Sequence, residues 1–163
     1  MMKALARIAS VFGLAAASFW GGIAFEQAVA ARNNPAPGHR RTDGSVAAGL
    51  SPETRKPFFT TPADAPGLYS WNSANSYCEA LETGGHRDWR VPAKSELNEL
   101  FNNRVAIGGF NASGSYDASW YWSSTLFARE AGLDGHPYLQ RFHDGWTDFD
   151  NSGAREISLR CVR

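Results

Sequence analysis

Cysteine is scarce in this chain, with two among 163 residues, Cys78 and Cys161. That excludes a multi-bridge mini-protein framework and a four-cysteine zinc site. Charge of either sign is not in excess: sixteen basic and sixteen acidic side chains cancel, so bulk charge argues against a nucleic-acid or acidic-polymer partner. Histidine is limited to His39, His86, His136 and His143, with no HExxH, no HxH and no Cys-His spacing. GxSxG and phosphate-loop patterns are missing as well, so no nucleophile comes with a base, and the chain reads as non-enzymatic. Internal repeats are absent too.

What is present is material for one folded domain, since 43% hydrophobic and 13% aromatic residues can bury a real core. Residues 1–30 differ from the rest. MMKALAR is positive, the run from Ile8 to Phe25 is apolar, and Ala28-Val29-Ala30 offers a small-x-small cleavage pattern. This reads as a secretory signal; the alternative is an uncleaved membrane anchor at the lower length limit of a spanning helix. Removing it takes away Lys3, Arg7 and Glu26 and leaves a nearly neutral protein. Residues 31–60 mix proline, glycine and charge without an apolar period and read as a flexible linker, with Pro57–Thr61 able to form a first strand. The domain proper is expected over 61–163.

In an oxidising compartment a lone cysteine pair usually bonds, so a Cys78–Cys161 disulfide is expected, worth roughly 4 to 5 kcal/mol by loop closure. Two buried thiols or half of a metal site are the other readings. Ala74, Tyr77, Cys78 and Leu81 recur at helical spacing, with Asn72 or Ser73 as cap and Gly84 or Gly85 as stop. A second helix should follow Pro92 and end near 102–104, with Leu97, Leu100 and Phe101 inward and Glu96 and Glu99 toward solvent. Beyond Gly108 the pattern changes to short aromatic runs separated by glycine, including an Asp144-Gly145 turn and an alternating final arm. In that arm Ile157, Leu159 and Cys161 face in, against Ser158, Arg160 and Val162. The fold class is α+β, two helices packed on one twisted antiparallel sheet.

Three sets of residues are candidates for function. Asp144, Asp148, Asp150 and Asn151 are oxygen ligands that suit calcium, although the EF-hand spacing and the lectin triplets EPN, QPD and WND are absent; a hairpin turn is the competing reading, and no other cofactor is implied. Trp146, at a turn, can stack on a sugar face while Arg141, Asp148, Asp150 and Asn151 bind hydroxyls. Trp120 and Trp122 should share one face of a strand opposite Tyr121, with Trp122 buried. The third set is the corner HRDWRVPAKSELNELF. There Trp89 anchors, Pro92 fixes the backbone, Glu96 meets the helix dipole, and Arg90 pairs with a buried carboxylate or with carbonyls. It supplies a corner in the fold.

Trp71, Ala74, Tyr77-Cys78, Leu81, Gly84-Gly85, Asp88-Trp89-Arg90-Val91-Pro92, Glu96-Leu97, Tyr121-Trp122-Ser123-Ser124 and Arg160-Cys161-Val162-Arg163 occur together in this order. In order and spacing the set resembles the Lcl C-terminal domain family, named for a bacterial collagen-like adhesin, over roughly 71–163. The resemblance implies an extracytoplasmic module, related in architecture to C-type-lectin-like and formylglycine-generating-enzyme-like folds and associated with adhesion to sulfated polysaccharide and host surfaces. Two departures stand out. PGLYSW replaces the TGLMW-like run, and Ala93 replaces the Thr or Ser after the WR-hydrophobe-Pro step. Losing that cap costs about 1 kcal/mol unless Lys94 or Ser95 shifts the helix start. The expected function is that of a secreted, periplasmic or cell-surface binding module for surface polysaccharide or an envelope protein. It needs no nucleic acid, touches membrane only through an uncleaved N-terminal segment, and can gain avidity as a homo-oligomer. The competing readings are a structural subunit of a surface assembly and a diverged enzyme.

Overall fold

A computed structural model describes residues 34–113, 117–127, 135–150 and 154–163. Among the described residues, two antiparallel sheets and three helices make an α+β domain. Strands β1 (Val46–Leu50) and β2 (Pro57–Thr60) form a hairpin; β3 (Trp120–Phe127), β4 (His136–Arg141) and β5 (Thr147–Phe149) form a meander. Helices α1 (Trp71–Glu79), α2 (Lys94–Asn102) and the single turn α3 (Arg104–Ile107) lie between the sheets in sequence. A 3-10 turn, Asp117–Ser119, leads into β3.

Alternation along β3 divides the interior into two cores. Trp120 and Trp122 face Ala74, Cys78, Trp89, Leu139, Ile157 and Leu159; Tyr121 faces Val46, Phe58, Leu97, Leu100, Phe142 and Val162. The meander is thus covered on both sides, by α1 and the chain's end on one and by α2 and the β1–β2 hairpin on the other.

The stretch that reads as a linker carries β1 and β2 inside 31–60. Val46, Ala47 and Ala48 are buried, and Gly38 and His39 exchange backbone hydrogen bonds with Ala47 at 2.8 and 2.9 Å. Small side chains hide this strand from an apolar-period reading, and they are also what lets it close on α2. A Cβ at Gly49, where β1 bulges, would lie 2.9 Å from Glu99 Oε1. The strand expected at Pro57 is β2.

Helix α1 turns Ala74 and Cys78 inward and is capped by Ser70, whose hydroxyl accepts from the Ser73 amide, rather than by Asn72 or Ser73. It ends at Ala80, before Gly84 and Gly85, which instead bend the Thr83–His86 turn. The Cys78–Cys161 disulfide is formed, with Cα atoms 5.7 Å apart. α2 spans the expected range and buries Leu97 and Leu100.

Two expectations of exposure are corrected. Glu96 is 0% exposed because Arg90, Ser51 and the Ala93 amide together satisfy its carboxylate. The last arm has no solvent face: Ser158, Arg160 and Val162 are as buried as Ile157, Leu159 and Cys161. It is not a regular strand of one large sheet. Isolated bridges tie it to Thr60, Tyr69, Arg90 and Tyr121, so it threads between the two sheets and is covered on both sides.

Candidate functional site

The β4–β5 hairpin carries most of the candidate residues. Tyr138 pairs with Phe149, Leu139 with Asp148 and Gln140 with Thr147, and the Arg141 amide donates to the Trp146 carbonyl at 2.8 Å. Because side chains alternate, Arg141 and Asp148 fall on one side with Trp146 continuing it, while Gln140, Thr147, Tyr138 and Phe149 fall on the other.

The turn between them is tightly held. Arg141 Nε donates to Asp144 Oδ1 at 2.8 Å, its Nη2 to Oδ2 at 2.5 Å, and the Trp146 amide to Asp144 Oδ1 at 3.2 Å. The hydrogen bonds from Arg141 hold the Asp144 acid down at about 2. Gly145 has φ +83°, and a Cβ there would lie 2.6 Å from the Phe101 ring, so this turn requires glycine. The result is an indole 62% exposed on a fixed backbone.

Asp148 spends one oxygen on the Phe149 amide, and the Asp150 amide bonds the Pro137 carbonyl. Asn151 lies outside the described residues. Among the described residues no three His, Cys, Asp or Glu side chains converge as metal ligands, and the Asp144 carboxylate faces Arg141 rather than Asp148.

The opposite side holds a polar groove that sequence reasoning missed. A cleft of about 440 Å³ is lined by Glu53, Lys94, Ser95, Asn98, Thr125 and Thr147, drawn from four separate stretches of chain. The Lys94 ammonium sits 3.7 Å from the centre of the Tyr138 ring, and beyond it Phe127 stacks on Phe149 with ring centres 4.6 Å apart. No local motif announces this set. It touches the entrance of α2, where the amide of Lys94, the first helical residue, donates to Thr125 Oγ1 at 2.9 Å.

The corner residues are structural in position. Trp89 is buried and donates to the Thr83 carbonyl; Trp122 donates to the Tyr69 carbonyl at 2.6 Å. The Pro92 carbonyl accepts from the Ser124 amide, which joins the RVP step to the YWSS strand. Arg90 clasps Glu96 through both terminal nitrogens at 2.6 and 2.8 Å. Burial alone would raise the Glu96 acid, but these bonds and those from Ser51 and Ala93 hold it below its ordinary range. Buried Arg160 is balanced by Asp64 at 2.8 Å, which also accepts from the Tyr121 hydroxyl at 2.6 Å. Asp43 binds Ser45, His86 and Arg163 and so anchors the C-terminal residue; Ser45 first, then His86 and Arg163, keep its acid low.

The described residues make a small α+β domain with a disulfide-tied end, a rigid aromatic turn and a polar groove. A family model, the Lcl C-terminal domain, matches residues 47–163, and the chain belongs to that family. The match begins within β1, inside the stretch that composition alone assigns to a linker. No curated protein matches the chain.

Proposed function

We propose that this domain is an exported, non-catalytic binding module that recognises surface glycan, with C-type-lectin-like architecture. The observation that carries the reading is Trp146, a large ring left exposed on a turn that Asp144, Arg141 and Gly145 hold still. An indole on a rigid support loses little freedom on stacking against a sugar face, while Arg141 and Asp148 on the same side offer polar contacts. The disulfide is compatible with an oxidising compartment, and residues 1–30 fit a secretory signal. No helix among the described residues is long and apolar enough to cross a membrane. The architectural reading rests on the first helix being tied to the last described strand-like arm and on a sheet whose β4–β5 turn exposes Trp146.

The test is binding of the purified full chain to an immobilised polysaccharide panel. Saturable binding is expected, weakened at least fivefold by Trp146→Ala with an unchanged melting temperature. Silence across the panel, or binding indifferent to Trp146→Ala, overturns the reading.

A further inference from the structure

The groove on the far side of the hairpin from Trp146 has a hydrogen-bonding ledger specific enough to name a ligand class. We propose that it seats a neutral sugar ring bearing adjacent hydroxyls; this rests on the glycan reading above and deepens it.

Its formal charge is balanced, since Lys94 and Glu53 are the only ionisable groups among the six lining residues. The orientation of the polar groups follows from what they already bind. Asn98 Oδ1 accepts from Gln140 Nε2 at 3.0 Å, which turns the Asn98 amide nitrogen outward as a donor. Gln140 is only 2% exposed and also donates to the Gly145 carbonyl at 3.1 Å, so it acts as a positioning residue fixed to the same turn that carries Trp146. Thr125 Oγ1 accepts from the Lys94 amide, which leaves its hydroxyl proton free to donate. The Ser95 hydroxyl donates to Glu53 Oε1 at 2.5 Å, so Oε2 can accept. Lys94 is seated over Tyr138, which restricts its long side chain before any ligand arrives.

Donors from Lys94, Asn98 and Thr125 therefore face one carboxylate acceptor, with Thr147 completing the lining. Sugar hydroxyls match this, because each donates and accepts at once, and neighbouring hydroxyls can bridge an amide donor and a carboxylate. All six lining side chains are polar or charged, and the apolar surface of the groove comes from their stems and methyl groups. With Lys94 and Glu53 both in the lining, the groove offers no net attraction to a sulfated or carboxylated ring. The volume lies in the range of small-ligand sites.

The experiment is a titration of the ¹⁵N-labelled full chain, followed by NMR, with glucose, galactose, mannose and N-acetylglucosamine, and separately with sulfated dextran. At least one neutral sugar should shift the Asn98 side-chain amide and the Thr147 backbone amide saturably. Asn98→Ala and Glu53→Gln should each weaken that binding about tenfold, a loss typical of a directly bonding polar group, with melting unchanged. Neutral sugars that leave the groove resonances unmoved, or shift only those around Trp146, overturn this inference. If sulfated dextran binds and no neutral sugar does, the groove assignment falls while the broader glycan reading stands. If no sugar of either kind binds, both fall.

Discussion

Glu96 and Trp146 show how neighbours reverse what residue type suggests. A carboxylate is wholly buried because three donors, from Arg90, Ser51 and the Ala93 amide, converge on it; an indole stays 62% exposed on a turn whose Phe142 and Gly145 pack inward. Glu96→Ala should lower the unfolding free energy by about 3 kcal/mol in urea titration, the low end for a broken buried pair because Arg90 keeps access to water. The acid form supplies a second check. Glu96 titrates below its ordinary value of 4.5 in the folded state, so its stabilisation is complete above that pH and is lost as pH falls from 4.5 through the folded value. Asp43 adds a loss of the same sign starting near 3.8. Melting temperature should drop steeply below about pH 4.5, and Glu96→Gln should flatten the upper part of that slope. A change in the opposite direction would count against the buried pair. Helical spacing places Glu96 outward because it counts positions along one helix, whereas Ser51 reaches it from 45 residues away.

At the level of elements, α1 and α2 are legible from spacing, since four apolar side chains in the first and three in the second recur at helical intervals. The β1 strand is not, because Ala and Gly carry little apolar signal and the burial of Val46 and Ala48 comes from α2 and Phe58. The start of α2 is a case where one element completes another. Thr125 on β3 satisfies the first amide of α2, that of Lys94, so Thr125→Val should cost about 1 kcal/mol by chemical denaturation, although Thr125 is far from α2 in sequence. Ala93→Ser should recover about 0.5 kcal/mol by capping the amides deeper in the first turn, since Ala93 already has the extended backbone of a cap. If Thr125→Val proves neutral, α2 does not depend on β3 for its entry.

Across the whole molecule, the disulfide joins α1 to the third residue from the end and closes a loop with a sequence separation of 83. Replacing both cysteines by alanine should remove at most roughly 4 to 5 kcal/mol, the loop-entropy value, measured as a shift in the urea midpoint at constant slope. Mass spectrometry after alkylation without reductant should find neither sulfur modified.

The sequence by itself determined the α+β class, the two principal helices, the bridged cysteines, the burial of Trp122 and the family, because each is carried by local spacing or by a lone compatible pair. Tertiary structure alone decided the burial of Glu96 and Arg160, the folding of residues 46–60 into a hairpin, and the groove of Glu53, Lys94, Asn98, Thr125 and Thr147. The physical reason is that a charge is buried or a cleft lined only through partners from distant parts of the chain, and no spacing rule within one segment encodes where those partners will meet.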